Sequence, residues 1–283
     1  MLGRLWKSAS LATGIVIPLL ATGLLAASGI THAKDSEAVQ KLRAVVDSPA
    51  RSTANKARDP YRHPVETLAF FGIKPNMTVV ELWPFGGWFT EILAPYVRDH
   101  GKLYAAAMDP ASTSKNDLKY NSDLRALFDT HPELFDKVQL TVLSPNKMEI
   151  APDGSADMVV TFRNIHNWAW AGIDKKVFAA AFRALKPGGI LGIEEHRNND
   201  PNFAPSHPPQ AYVGEKWAIG MIESVGFKFV ADSDINRNPK DTKDYPKGVW
   251  TLPPYYAEGD KDRETYTAIG ESDRFLLKFV KPR

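Results

Sequence analysis

Residues 79–90 read Val-Val-Glu-Leu-Trp-Pro-Phe-Gly-Gly-Trp-Phe-Thr, and this stretch decides the fold prediction. The apolar run over 78–82 predicts a buried strand, the glycine-containing turn follows it, and residues 87–97 predict a helix. In open α/β sheets, ligands bind at the carboxyl ends of the strands, where glycines let the backbone approach and a helix N-terminus offers free amide donors. The stretch therefore predicts an α/β fold with a ligand site beside the turn.

Outward from this stretch, strands and helices alternate along the chain. Hydrophobic patterns predict six further strands and several helices between them. The further strands are 103–108, 138–143, 158–162, 190–193, 227–230 and 274–281, and the helices include 114–128, 174–185 and 212–225. Such alternation produces βαβ crossovers, so we predict a seven-stranded, mostly parallel sheet with an antiparallel last strand and helices on both faces.

Four stretches, in order, resemble the class I S-adenosylmethionine-dependent methyltransferases, and the chain is most similar to their exported, poorly defined subgroup. The first motif of that family is an acidic residue, any residue, then Gly-x-Gly-x-Gly; Glu81 takes the acidic place and Gly87 that of the third glycine. Residues 103–109 resemble the second strand, with Asp109 placed like the acid that binds the ribose. Residues 157–168 resemble the fourth strand and its loop, and residues 183–193 match the Leu-Lys-Pro-Gly-Gly turn before the fifth.

The resemblance implies a Rossmann-like methyltransferase fold and S-adenosylmethionine as cofactor. The cofactor-binding residues it implies are Glu81, Trp83, Gly86, Gly87 and Asp109. The first motif departs from the family, since Trp83 and Phe85 stand where it has its first two glycines. If Trp83 points inward, its ring fills cofactor space; if it packs under Trp88 or a lid, the pocket is open, which is the outcome we expect.

Polar side chains follow the ends of the fourth and fifth predicted strands, where this fold keeps its site. We predict catalytic roles for Asn164, His166 and His196, because histidine gains or loses a proton near neutral pH. The predicted substrate-binding residues are Arg62, His63, Arg163, Glu195 and Tyr212. Two histidines beside two carboxylates could also hold a metal, but no His-x-x-x-His spacing occurs, so we expect no metal.

The N-terminus carries the layout of a secretory signal peptide. A basic start with Arg4 and Lys7 precedes an uncharged stretch over 9–30 and a small-x-Ala site at 31–33. We expect cleavage after residue 33, although an uncleaved anchor is the alternative. The expected organisation is a signal peptide (1–33), an N-terminal helical segment (34–75) and a methyltransferase-like domain (76–283) with a long loop over 232–273 that could act as a lid. A periplasmic or secreted protein without stable membrane association follows.

Composition excludes several classes of function. The chain has no cysteine, which removes disulfides, thiolate metal sites and a cysteine nucleophile. Loss of residues 1–33 leaves equal numbers of basic and acidic residues, so we expect no nucleic-acid binding. We predict a small-molecule ligand, and the sequence leaves the oligomeric state open. The leading hypothesis is methyl transfer to a small acceptor; the alternatives are an exported binding protein that has lost the cofactor and a metal-assisted hydrolase.

Overall fold

The computed structural model describes residues 36–209 and 211–283, so the predicted signal peptide lies outside the described residues. None of the helices in these ranges has the length and apolar character needed to cross a bilayer. The α-helices are α1 (Glu37–Val46), α2 (Thr53–Lys56), α3 (Asp59–Arg62), α4 (Pro64–Phe71), α5 (Thr90–Val97), α6 (Lys115–Thr130), α7 (Pro132–Phe135), α8 (Ile165–Trp170), α9 (Asp174–Ala184), α10 (Glu215–Glu223) and α11 (Arg263–Ile269).

The strands form one mixed sheet. They are β1 (Thr78–Leu82), β2 (Lys102–Ala107), β3 (Gln139–Ser144), β4 (Lys147–Glu149), β5 (Ala156–Phe162), β6 (Leu185–His196), β7 (Lys228–Ser233) and β8 (Arg274–Val280). Their order is β4-β3-β2-β1-β5-β6-β8-β7. The five central strands are parallel, β8 runs antiparallel to β6, and β1 pairs with β2. The α/β class, the parallel core and the antiparallel last strand are therefore confirmed.

The number of strands differs from the prediction, because the described sheet has eight and not seven. The additional strand is β4, three residues that fold back on β3 through the two-residue turn Pro145-Asn146. Three residues are too few to show the alternation of apolar and polar side chains that predicts a strand. The Pro187-Gly188-Gly189 turn also differs from the predicted helix end: α9 stops at Ala184, and these residues lie within β6.

Two hydrophobic clusters cover the two faces of the sheet, which explains why its central strands are continuously apolar. Val79 of β1 contributes to the cluster that contains Phe71 and Ile92, whereas its neighbour Val80 contributes to the cluster that contains Trp168. Because β1, β2, β5 and β6 are parallel neighbours, their carboxyl ends lie along the same edge of the sheet. The segment between β7 and β8, which includes the 3-10 helix Gly248–Thr251 and α11, supplies residues that contact this edge.

Candidate functional site

The loop after β1 has the backbone of a glycine-rich turn. Trp83, Phe85 and Gly87 have positive φ angles of 47°, 49° and 80°. This left-handed region favours glycine, because the Cβ of other residues crowds the carbonyl oxygen at a cost of about 1–2 kcal/mol. These are the three glycine positions of the motif that the stretch resembles. The loop therefore keeps the glycine-type conformation although two of the three positions carry large rings.

The two remaining glycines of the loop are not equivalent. A Cβ added to Gly87 would lie 2.4 Å from Leu127 Cδ2 and 3.1 Å from Leu124 Cδ1, so the loop packs on α6 only if this residue has no side chain. A Cβ on Gly86 would meet nothing within 4 Å. Gly87 is thus favoured both by its φ of 80° and by the close approach of α6, whereas Gly86 has open space around it.

Both rings of the loop point inward. The Trp83 indole donates from Nε1 to the carbonyl oxygen of Leu143 at 2.7 Å, and its centroid is 5.6 Å from that of Trp168. Phe85 lies 4.6 Å, between ring centroids, from Tyr120 of α6. The cleft that these rings line holds no space for a water-sized sphere. The expected outward position of Trp83 is therefore wrong for the described conformation; Trp88 instead packs against Arg62.

The two predicted acids of the cofactor site hydrogen-bond to their own loops. Glu81 is buried, its Oε2 accepts from Thr90 Oγ1 at 2.6 Å, and burial raises its pKa to about 7. Asp109 follows β2, and its Oδ1 accepts from the backbone N–H of Ala111 at 2.9 Å. The structure places both acids at the ends of adjacent strands.

His166, Glu195 and His196 meet at the ends of β5 and β6, where each offers an atom that could bind a metal, all within 4.8 Å of one another. His166 Nδ1 lies 3.1 Å from Glu195 Oε1, and His196 Nδ1 lies 2.6 Å from Ser272 Oγ. Burial, followed by the nearby His166 and Arg163, holds the pKa of His196 well below its ordinary value. The three side chains therefore lie close together, as the sequence predicted.

Asn164 is buried and connects β5 to the loop after β1. Its Nδ2 donates to the carbonyl oxygens of Leu82 and Trp83 at 3.1 and 3.3 Å and to Thr161 Oγ1 at 3.0 Å. Its Oδ1 is buried without a hydrogen-bond partner in the described part of the chain. The side chain therefore positions the loop and leaves one acceptor for a ligand.

Arginine side chains surround Glu194, the neighbour of Glu195. Arg163 Nη1 and Arg274 Nη1 donate to Glu194 Oε1 at 2.6 and 3.1 Å. Burial opposes ionisation of Glu194, but the charges of Arg163 and Arg274 outweigh it and lower the pKa. Arg163 also has a φ of 62°, a strained conformation that the ion pair holds. This predicted substrate-binding residue is thus also a structural partner of Glu194.

A second carboxylate, Glu271, joins the N-terminal helices to the strand ends. It accepts from Arg58 Nε at 2.6 Å, from Arg62 Nε at 3.0 Å and from Arg274 Nη1 at 3.1 Å. Burial opposes its ionisation, yet these three charges hold the pKa of Glu271 well below its usual range. The Nη1 of Arg62 is buried without a hydrogen-bond partner among residues 36–209 and 211–283.

Aromatic side chains enclose the histidines. Trp170 and Trp250 lie 5.0 and 6.1 Å from His166, between ring centroids, and Tyr212 lies 6.3 Å from His196. The Tyr212 hydroxyl donates to Asp241 Oδ1 at 3.0 Å. Trp250 belongs to the predicted lid loop, so this loop does supply a wall of the site.

The remaining predicted residue, His63, lies beside the arginines and not beside the other two histidines. Its Nδ1 is 2.9 Å from Asn236 Oδ1, while Asn236 Nδ2 donates to Glu194 Oε2 at 3.3 Å. Sequence reasoning did not identify Asn236, Glu271 and Ser272 as part of this region. The run of polar residues 271–273 directly before the buried strand β8 was the available signal.

The comparisons with known proteins agree with this architecture. No family model matches the chain, and no curated protein matches it. A SAM-dependent methyltransferase from Aquifex aeolicus superposes with a TM-score of 0.54 at 16% identity, covering 86% of this chain and 98% of that one. The [4+2]-cyclase SpnF superposes with a TM-score of 0.54 at 13% identity, covering 87% and 93%. The chain has the Rossmann-like methyltransferase fold.

In this methyltransferase-fold chain, the backbone of the loop after β1 suits S-adenosylmethionine, but two side chains of the loop do not. The left-handed backbone at positions 83, 85 and 87 and the acids after β1 and β2 suit the cofactor. The rings of Trp83 and Phe85 stand in the space that the family's glycines leave. Both rings are half-buried, and the Trp83 indole is held by its hydrogen bond to Leu143 and its contact with Trp168. Cofactor binding at this loop therefore requires that both rings turn out of the cleft that they fill.

Proposed function

We propose that this chain is an S-adenosylmethionine-dependent methyltransferase. One observation carries the proposal: Trp83 and Phe85 hold the left-handed backbone of the glycine motif, although each pays about 1–2 kcal/mol for it. Backbone strain of this kind persists where the surrounding structure enforces it, and it concentrates at functional sites. The cofactor would bind at this loop, with Glu81 and Asp109 on the adjacent strand ends, and would supply an activated methyl group.

The acceptor would lie beside His166 and His196. Methyl transfer needs chiefly alignment of the acceptor, since proximity supplies most of the rate. Burial lowers the pKa of His196, so the neutral ring offers a nitrogen lone pair toward the acceptor. Trp170 and Trp250 favour a small acceptor with an apolar body. We infer no nucleic-acid acceptor, because residues 34–283 carry no net charge.

The basic and apolar layout of residues 1–33 supports action outside the cytoplasm. Fractionation of cells that express the full chain, with N-terminal sequencing of the product, tests this part. A periplasmic product that begins at residue 34 is expected. Cell-retained material that begins at Met1 contradicts it.

A second candidate function is ligand binding on a methyltransferase fold that has lost the cofactor. The hydrogen bond from Trp83 to Leu143 and the filled cleft favour it. Calorimetric titration with S-adenosylmethionine and S-adenosylhomocysteine separates the two candidates. Binding by the wild-type chain supports the methyltransferase. Binding only after Trp83→Gly, with Trp83→Phe as the control that keeps the cleft filled, supports the binding protein.

A further inference from the structure

We propose that His166, Glu195 and His196 form a binding site for one divalent first-row transition-metal ion. Glu195 and His196 end β6, and His166 lies in the first turn of α8, which follows the neighbouring strand β5; their candidate ligand atoms lie within 4.8 Å of one another. Two ligands of one ion at about 2.1 Å are separated by roughly 3–4 Å, so small side-chain movements close the site. Imidazole and carboxylate together suit Zn²⁺, Fe²⁺, Co²⁺ and Mn²⁺.

The charge of Glu195 is the first argument for a cation. Its side chain is fully buried, and within residues 36–209 and 211–283 no lysine or arginine forms an ion pair with it. Its neighbour Glu194 is equally buried and pairs with two arginines. An uncompensated buried carboxylate is costly unless a cation or strong hydrogen bonds accompany it. Backbone N–H groups already stabilise the Glu195 carboxylate, and a metal ion would add the positive charge that no lysine or arginine supplies in the described ranges.

The second argument is that the protein already holds each ligand in place. The backbone N–H groups of Ile165 and His196 donate to Glu195 at 2.6 and 2.8 Å. Ser272 Oγ fixes the ring of His196 through Nδ1, and the Nε2 of His196 has no hydrogen-bond partner in the described ranges. Hydrogen bonds of this kind orient metal ligands and select the nitrogen that binds. Glu195 and His196 are therefore oriented before any ion arrives, and small movements of the three side chains complete the site.

The third argument concerns the open side of the triad. Trp170 lies against His166, and its Nε1 is buried with no partner in the part of the chain that the structure describes. Three protein ligands leave coordination positions free for water or a substrate atom. The Trp170 N–H is a donor for an oxygen in such a position. The sequence contains no metal-binding spacing, because α8 supplies one ligand and β6 the other two.

Cobalt titration tests the site without any methyltransferase reagent, so its result is independent of the proposed function. The full mature chain is treated with a chelator, dialysed, and titrated with Co²⁺ while the visible d–d absorption and the melting temperature are followed. We expect bands that saturate at one Co²⁺ per chain, a raised melting temperature and displacement of Co²⁺ by Zn²⁺.

His196→Gln and Glu195→Gln should each weaken Co²⁺ binding by about tenfold or more. The matched control is His131→Gln, because His131 and Glu133 form the same kind of His–Glu contact, at 3.3 Å, on the exposed surface without a second histidine. Circular dichroism verifies folding. If Glu195→Gln misfolds, the half-buried His196 still decides the test. No absorption at one equivalent, or equal binding by His196→Gln and wild type, would show that the triad is a hydrogen-bonded pair with a neighbouring histidine only.

Discussion

Replacing Trp83 tests whether the loop after β1 stores backbone strain. A fully buried aromatic ring costs about 3–5 kcal/mol on truncation, and the half-buried Trp83 ring should cost about 2–3. Loss of its hydrogen bond to Leu143 adds about 1 kcal/mol. Trp83→Ala keeps a Cβ at a φ of 47°, so the backbone strain remains. Trp83→Gly removes that strain, which stabilises the folded state by about 1–2 kcal/mol. Glycine also raises the conformational entropy of the unfolded chain, which lowers the free energy of unfolding by about 0.5–1 kcal/mol. We expect destabilisation of about 3–4 kcal/mol for alanine and about 2–3 for glycine.

Urea unfolding, followed by circular dichroism, measures both variants against wild type. Trp83→Phe is the control: it keeps an aromatic ring and the strained backbone but loses the hydrogen bond and part of the ring, so it should cost about 1–2 kcal/mol. The decisive quantity is the difference of about 1 kcal/mol in favour of glycine over alanine. If alanine is as stable as glycine at this position, the loop does not hold a glycine-type conformation, and the main support for the proposed function is lost.

Three further predictions concern the loop, its acid and the arginine cluster. Gly87→Ala should cost at least about 1–3 kcal/mol, because its Cβ would overlap Leu127, whereas Gly86→Ala should stay within about 0.5; thermal unfolding of the pair measures both, and equal effects contradict the packing. The raised pKa of Glu81, about 7, means that its contribution to stability is complete below about pH 4 and is lost as the pH rises through 7. Between pH 5 and pH 8, wild type should therefore lose about 2–3 kcal/mol more than Glu81→Gln in urea unfolding; parallel losses would place the pKa of Glu81 near its ordinary value. Glu271→Gln should cost about 3–5 kcal/mol in urea unfolding, since it removes the shared counter-ion of three arginines, and a loss below 1 kcal/mol contradicts that role.

The sequence predicted the sheet well because the signal is local. Strands buried on both faces are continuously apolar, and the helices between them repeat their apolar residues at helical spacing. The class, the seven longer strands and the adjacency of β1 and β2 follow from such patterns and from crossover rules. The strand β4 has three residues and packs at the edge, so no pattern could reveal it.

Part of the candidate site was also predicted, because the residues that follow the strands can be read from local patterns. The residues after β5 and β6 could be placed together because parallel strands end at one edge. The partners that the segment between β7 and β8 contributes, such as Ser272 and Glu271, could not be placed, since the path of a 40-residue irregular segment depends on many weak contacts. The direction of the Trp83 ring likewise depends on Trp168 and Leu143, which are distant in the sequence.

The amino-acid sequence by itself determined the order of strands and helices, the glycine-type turn and the edge of the sheet at which the polar residues gather. These features depend on neighbours within a few residues and on the handedness of crossovers. Only the tertiary structure decided that Trp83 and Phe85 close the cleft. It also decided that Glu194 forms ion pairs with two arginines, whereas Glu195 lies beside two histidines and, in the described ranges, pairs with no arginine. Charge balance and ring packing in a buried region are set by side chains from separate elements, so they exist only once the chain has folded.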